Sequence, residues 1–292
     1  REAREANDFG VLAPQLEDFV AQLFGIEEDA RALAAQHHER APIFSVKRLF
    51  VQRQALAKFK HEDVVELDAE AAEQSLLGEP FSELAFARQV TMWQEDEAAN
   101  ADQLELAARY AVWAAGTEAG RARHRGGVLF KAPAKLDYQN LVPLVTSEQA
   151  GFGRHSIDHL RRREGFALTD HGTDLTGALD EANYCIWCHN QGKDSCARGL
   201  KDRKTGAFQK SPFGVTLAGC PLEEKISEFH KLRAEGVPLG ALAVICVDNP
   251  MVAATGHRIC NDCMKSCIYQ KQDPVDIPQS ETRLLKDALA LP

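Results

Sequence analysis

The eight cysteines of this chain all lie between Cys185 and Cys267, and this clustering constrains the possible fold more than any other feature. Two of the spacings are Cys-x2-Cys, one cysteine is followed by proline, and the last group ends in Cys-x3-Cys. Thiolates in such patterns are typical of metal sites, most of all of iron–sulfur clusters. In chain order they are Cys185, Cys188, Cys196, Cys220, Cys246, Cys260, Cys263 and Cys267.

The number of thiols favours two four-iron clusters over one structural zinc ion. A zinc ion takes four ligands, which the two Cys-x2-Cys pairs would supply. Three other cysteines would then have no role: Cys196, Cys220 and Cys267. Two four-iron clusters use eight ligands. We interpret Cys246, in the apolar run Leu239–Val247, as a small core residue, so one ligand must be a residue other than cysteine.

The first pair also matches the attachment motif of a c-type haem, because Cys185-Ile-Trp-Cys188 is followed by His189. Covalent haem attachment requires export, and the first residues of the chain lack the apolar core of a signal peptide. The further thiols nearby also favour clusters. We therefore interpret His189 as a hydrogen-bonded loop residue beside a cluster.

The composition limits the classes of function. A formal net charge of −9 argues against nucleic-acid binding, and no apolar run is long enough to cross a bilayer. Eight cysteines in 292 residues are too few for a secreted disulfide scaffold. We therefore expect reduced thiols and a cytoplasmic location.

The sequence before the cysteines predicts a helical arm. Apolar residues recur at helical spacing through residues 1–115, and Gly78 followed by Pro80 predicts a helix end. A long helix over residues 81–115 is divided by the polar stretch Gln94–Asp102. From Gly116 onward the sequence predicts a linker with short extended pieces. We expect a helical domain with linker over residues 1–175 and a cysteine-bearing domain over residues 176–292.

The cysteine-bearing part resembles the iron–sulfur N-terminal domain of the glutamate synthase small subunit and of dihydropyrimidine dehydrogenase. These belong to the bacterial FAD-dependent pyridine nucleotide oxidoreductase family. The resemblance covers about residues 180–292, and it implies a mainly α fold: an α-helical ferredoxin-like domain with two [4Fe–4S] clusters after the helical arm. Besides the cysteines it rests on Cys220-Pro221, Asn249-Pro250, Thr255-Gly256-His257-Arg258 and Val275-Asp-Ile-Pro278.

The resemblance also implies a ligand set for each cluster. The first cluster would take Cys185, Cys188, Cys196 and Cys267. The second would take Cys220, Cys260, Cys263 and Glu281, which stands where the family has Gln or Glu. Seven residues precede Cys196 after Cys188, and 23 separate it from Cys220. Both intervals are longer than in the family, so a basic insertion lies beside the first cluster.

The implied function is electron transfer within a larger FAD- and NAD(P)H-dependent oxidoreductase. The chain would relay single electrons between a flavin and a partner site or electron-acceptor protein. It contains no G-x-G-x-x-G fingerprint, so FAD and NAD(P)H are expected on a fused or separate flavoprotein module, and no catalytic residue is expected here. Ile186, Trp187 and Ile268 would shield the clusters. The alternative is a zinc-stabilised protein-interaction module with no redox role.

Overall fold

The protein is mainly helical, as predicted, in a computed structural model that describes residues 2–78, 80–142, 144–149, 151–157, 162–256 and 259–292. His257 and Arg258 of the predicted motif lie outside these residues. The elements are α1 Glu2–Phe24, α2 Glu27–Val46, a π-helical segment Lys47–Ala55, α3 Leu56–Lys58, a 3-10 turn His61–Val64, α4 Ala69–Leu77, α5 Glu83–Gln94, α6 Ala101–Gly116, α7 Glu118–Arg123, β1 Leu144–Gln149, β2 Phe152–Ile157, α8 Leu175–Tyr184, a 3-10 turn Cys188–Gln191, α9 Ser195–Arg198, α10 Ile226–Ala234, α11 Pro238–Asp248, α12 Val252–Thr255, α13 Asp262–Ser266 and α14 Ile277–Leu289.

Local signals place several helix ends where the sequence predicts them. Gly78 ends α4 in the left-handed conformation, with φ of 67°, and its N–H donates to the Gln74 carbonyl oxygen. Glycine takes this conformation without a Cβ clash. The polar stretch between α5 and α6 divides the predicted long helix, because α5 ends at Gln94 and α6 begins at Ala101. Strands β1 and β2 pair antiparallel within the predicted linker.

The helical arm packs around a first core of buried apolar and aromatic side chains. Phe86, Tyr110 and Leu129 are fully buried there. The core spans Ile43 to Phe130, and α8 completes it with Leu175 and Leu179. Helix α8 ends at Tyr184, immediately before Cys185. The packing of α8 against the arm therefore fixes the position of the first cysteine.

A second core surrounds the cysteines. Phe229, Ile245 and Ile277 are fully buried in it, together with four of the thiols. Helix α1 belongs to this part of the structure, because Ala13 is buried against it and the Glu17 carboxylate accepts the Gly240 N–H at 2.9 Å. The arm and the cysteine region are therefore tied together at both α1 and α8, and the predicted division at residue 175 stays a prediction.

A π-helical segment connects α2 to α3. Its turns are wider than those of an α-helix, and the Leu56 N–H donates to the Val51 carbonyl five residues back. This spacing turns Phe50, Val51 and Ala55 into the first core. Lys47 is also buried, and its Nζ lies 2.6 Å from the Asp180 Oδ1 of α8. The segment thus places the charged side chain of Lys47 at the contact between the arm and α8.

A polar network inside the first core gives the arm an acid-sensitive group. Arg123 donates two 2.7 Å hydrogen bonds to the Glu73 carboxylate, and the Tyr110 hydroxyl donates to the same group at 2.5 Å. The His124 Nε2 lies 2.8 Å from the Tyr110 hydroxyl, which is free to accept from it. Burial lowers the pKa of His124 to about 4.

The His124→Gln variant should therefore lose less stability on acidification than the wild type. Between pH 6.5 and about 4, His124 binds a proton in the unfolded chain but not in the folded one, so the free energy of unfolding falls as the pH falls through this window. We expect the substitution to spare about 2 kcal/mol of that loss between pH 7.5 and 4.5. Urea titrations at both pH values measure it. His155→Gln, on the exposed strand β2, is the control and should follow the wild type.

Candidate metal centre

Four thiols from three separate parts of the sequence line one cavity. Cys185 follows α8, Cys188 begins a 3-10 turn, Cys196 lies in α9, and Cys267 follows α13. Each of the four is at most 9% exposed. The other lining residues are Ile186, Ile226, His230, Ile268, Tyr269, Val275 and Ile277. The structure thus brings together the four residues predicted as ligands of the first cluster.

The loop between Cys185 and Cys188 has an unusual backbone. Trp187 takes φ of 51°, in the left-handed region that non-glycine residues rarely adopt. Its indole Nε1 donates to the Ala182 carbonyl at 3.1 Å, which anchors the ring to α8. The other described non-glycine residue with positive φ is Glu223, three positions after Cys220. Strained backbone of this kind concentrates at functional sites, and here it follows two predicted ligands.

The basic insertion closes so that Cys196 and Cys220 become neighbours. The Cys220 N–H donates to the Cys196 carbonyl at 2.7 Å. Gly219 permits this approach, because a Cβ at that position would lie 2.4 Å from the Gly199 nitrogen and 2.5 Å from the Ala197 oxygen. The long intervals on either side of Cys196 therefore do not remove it from the cavity.

The predicted ligands of the second cluster form a separate group. Burial raises the pKa of the Cys263 thiol, and negative charge on Glu281, Cys220 or Cys260 would raise it further. Glu281 is only 7% exposed, although it is acidic and lies in the first turns of α14. Burial raises its pKa to about 9, and the neighbouring Glu224 carboxylate adds to the shift. A buried carboxyl group with a raised pKa thus lies near the thiols of Cys220 and Cys263.

The four thiols that one zinc ion would take from the Cys-x2-Cys pairs do not lie together. Cys185 and Cys188 line the first cavity, whereas Cys263 lies with Cys220 and Glu281. In the part of the chain that the structure describes, no group of three or more His, Cys, Asp or Glu side chains is arranged to hold a metal ion. Among the same residues, no helix is both long and apolar enough to span a membrane.

The first cavity disfavours ionisation of its cysteine thiols. Burial raises the pKa of Cys185 to about 12 and that of Cys188 to about 11, and it raises the pKa of Cys196 and Cys267 as well. Negative charge on any one of these thiols would add to the effect on its neighbours. Thiolates are the form that binds metal, so this donor set needs positive charge from a bound metal group to become anionic.

Backbone N–H groups are directed at several of the sulfurs. Those of Tyr269 and Val275 lower the pKa of Cys267, and that of Trp187 lowers the pKa of Cys185, against the larger effect of burial. The N–H groups of Leu222 and Glu224 do the same for Cys220. Helix α10 begins only at Ile226, after Glu223, whose φ of 51° lies outside the right-handed helical region.

His230 is the site residue that the sequence prediction missed. Its imidazole is fully buried, lines the cavity with the four thiols, and makes no hydrogen bond through either ring nitrogen. Burial lowers its pKa to about 3. The signal was its position on α10, since Ile226, Phe229 and His230 follow one another at i, i+3 and i+4 on the buried face. A polar residue within that apolar stripe needs a partner.

Two other predicted features have clear positions. His189 is held in its loop, with Nδ1 at 2.7 Å from the Ser227 hydroxyl. Ile186 and Ile268 line the cavity but are 36% and 49% exposed, so they cover it only from the outside.

The interpretation of Cys246 as a core residue is wrong. The structure exposes Cys246, because Ala241, Val244 and Ile245 form the buried face of α11 and the residues after them turn outward. The apolar run Leu239–Val247 concealed this, since it is apolar on both faces of the helix.

The geometry defines a mainly helical protein with two groups of cysteines in its second core, and the comparisons with known proteins place it in a family. The chain is 30% identical over 242 residues to "Uncharacterized protein RP005" of Rickettsia prowazekii, covering 77% of this chain and 79% of that protein. It belongs to the family of that protein.

A shorter match has a higher identity. It is 71% identical over 42 residues, 14% of this chain, to "Uncharacterized protein RP006" of Rickettsia prowazekii, of which it covers only 6%. No family model matches the chain. No solved structure matches it either.

Proposed function

We propose that this chain is the electron-transfer module of a larger oxidoreductase and binds two [4Fe–4S] clusters in an α-helical ferredoxin-like domain. The observation that carries the proposal is the cavity lined by Cys185, Cys188, Cys196 and Cys267. These residues come from three separate segments of the chain, the Cys185-x2-Cys188 loop, α9 and the end of α13, and they are the four predicted ligands of one cluster. The second cluster would be bound by Cys220, Cys260, Cys263 and Glu281.

The donor set and its surroundings suit a cluster. Four thiols line one cavity, yet no group of three described donors is arranged to hold a single metal ion, and a four-iron cluster holds its thiolates farther apart than a zinc ion does. The iron of a cluster would supply the positive charge that stabilises the buried cysteines as thiolates. His230 supports the same conclusion, because a ring N–H with no protein acceptor is suited to donate to a cluster sulfide or thiolate.

The bound clusters would supply one-electron oxidation and reduction, and the chain would control it. Trp187, Tyr269 and Val275 direct N–H groups at thiolate sulfurs, and such donors raise the reduction potential of a cluster. The apolar lining keeps water out. The hydrogen bond from Cys220 to Cys196 joins one ligand of each group, so the two clusters would be linked through backbone.

The partner in this proposal is a flavoprotein module, fused or separate, that binds FAD and NAD(P)H. The match of 42 residues to a protein of which they make up only 6% fits a chain whose relatives contain much more than this region. The reduced thiols that the clusters require fit a cytoplasmic location.

Metal analysis after purification without oxygen tests the proposal. We expect about eight iron and eight sulfide per chain, because each four-iron cluster carries four of each. Cys196→Ser should lower both to about four, since it removes a ligand of the first cluster only. One zinc per chain without sulfide would instead support the zinc-stabilised interaction module and refute electron transfer.

Two further variants make the assignment specific. Cys246→Ser replaces the exposed thiol and should leave both contents unchanged. Glu281→Gln keeps a ligand type that the resembling family uses, so it should keep eight iron, whereas Glu281→Ala should lose about four. Circular dichroism separates loss of a cluster from loss of the fold. Equal iron content in Glu281→Ala and wild type would remove Glu281 from the ligand set.

A further inference from the structure

A second cavity lies on the outer side of the Cys185 loop, between that loop and the π-helical segment. Its volume is about 470 Å³, within the range of small-molecule sites. The π-helical segment and α2 form one wall, and the end of α8 with the following loop forms the other. The residues that matter below are Phe44, Lys47, Arg48, Arg53, Trp187 and Tyr269, all of which line it.

The charge of this cavity is positive. Lys47 is neutralised by Asp180, 2.6 Å away. Arg48 and Arg53 are exposed, and neither forms an ion pair with another residue that the structure describes. The two guanidinium groups are therefore available to a ligand. Arginine presents its donors in a planar fork that fits phosphate and carboxylate oxygens.

The π-helix explains why the two arginines share one wall. Arg48 and Arg53 are five residues apart, which is about one turn of a helix with i to i+5 hydrogen bonds. In an α-helix this separation would turn them to different faces. Such wide turns occur frequently at functional sites, and this one places both arginines on the cavity wall while Phe50, Val51 and Ala55 pack into the first core.

The opposite wall is aromatic. Tyr184 and Tyr269 stack with ring centroids 4.6 Å apart and an angle of 14° between their planes. Trp187 also lines this wall, and Phe44 of α2 lines the cavity from the side of the arginines. Flat aromatic surfaces favour flat rings, because stacking buries both faces.

We propose that this cavity binds a planar organic anion of mononucleotide size, with its anionic group on Arg48 and Arg53 and its ring against the aromatic wall. The proposal does not depend on the clusters. Its consequence for them is positional: a ligand here lies against Cys185, a predicted ligand of the first cluster. If the bound molecule is redox-active, this is its point of approach to the electron-transfer module.

Binding of flavin mononucleotide and of adenosine monophosphate to the purified full chain tests the proposal. Riboflavin, adenosine and inorganic phosphate serve as the matched partial ligands in the same calorimetric titrations. We expect at least one mononucleotide to bind about tenfold more tightly than its uncharged nucleoside or than phosphate. The Arg48→Ala/Arg53→Ala variant should weaken that binding about tenfold or more. Arg31→Ala, an exposed arginine of α2 outside the cavity, should leave it unchanged.

The proposal is overturned if neither mononucleotide binds, if the uncharged nucleoside binds as tightly, or if the double variant binds like the wild type. Iron and sulfide measured in the same samples separate this result from the proposed function. Mononucleotide binding without iron would retain the cavity proposal and refute the clusters, and the reverse result would refute the cavity alone.

Discussion

Replacing Gly219 by alanine should destabilise the protein by about 4 kcal/mol and remove most of its iron. The new Cβ would lie 2.4 Å from the Gly199 nitrogen and 2.5 Å from the Ala197 oxygen, and Gly219 has φ of 87°. Backbone atoms cannot move aside as a flexible side chain can. The substitution should therefore separate the segments that hold Cys196 and Cys220. Urea unfolding and iron analysis measure the two effects.

Gly214→Ala provides the matched control. Gly214 lies in the same insertion with φ of 78°, but no atom comes within 4 Å of a Cβ built there. It should cost only the strain of the left-handed conformation, about 1–2 kcal/mol, and should leave the iron content unchanged. If both variants lose the same stability and keep their iron, the close approach of the two segments is not what positions the cysteines.

Replacing Arg233 by methionine should also cost about 3–5 kcal/mol, because it breaks a fully buried charge pair. The guanidinium donates to the Ser280 carbonyl at 2.6 Å and to the Asp287 carboxylate at 3.2 Å, with no exposed surface. Without it, Arg283 is the one cationic partner of Asp287 among the residues that the structure describes. These contacts hold α14, which carries Glu281, so the second group of ligands should suffer more than the first.

The control for Arg233 lies two residues away. Lys231 pairs with Glu235 at 2.5 Å on the surface of the same helix, and Lys231→Met should cost less than about 1 kcal/mol. Adding Asp287→Leu to Arg233→Met should recover part of the loss, since it removes the unpaired carboxylate. A loss as small as that of Lys231→Met would show that the buried pair contributes nothing to holding α14.

The sequence predicted the features that depend on neighbouring residues alone. Gly78 ends a helix because its conformation is set by its own backbone, and the grouping of thiols could be read from spacing alone. Two features depended on contacts between distant segments. The π-helical segment packs Phe50, Val51 and Ala55 into the first core and brings Lys47 to Asp180. The outward position of Cys246 depends on which face of α11 packs inward.

The site residues divide in the same way. The Cys-x2-Cys spacing identifies Cys185 and Cys188 as a pair. The position of Cys196 beside Cys220, in contrast, depends on a hydrogen bond that closes the insertion. The sequence marks His230 only as a polar residue in the apolar stripe of α10, and the structure shows that this helix face meets the thiols. Sequence spacing therefore identified the candidate ligands, and only the tertiary structure shows which of them lie together.

The hydrogen bond from Cys220 to Cys196 closes the insertion between them into a loop whose two ends lie side by side. Lengthening or shortening the loop at its exposed turns changes mainly the entropic cost of loop closure, which rises only about 0.6 kcal/mol for each doubling of length. Around Gly206 and Gly214 the loop also has open space. Evolution could therefore have extended this segment without moving a thiol, and an affinity tag or a fluorescent domain inserted there would report on the protein while the metal centre stays intact.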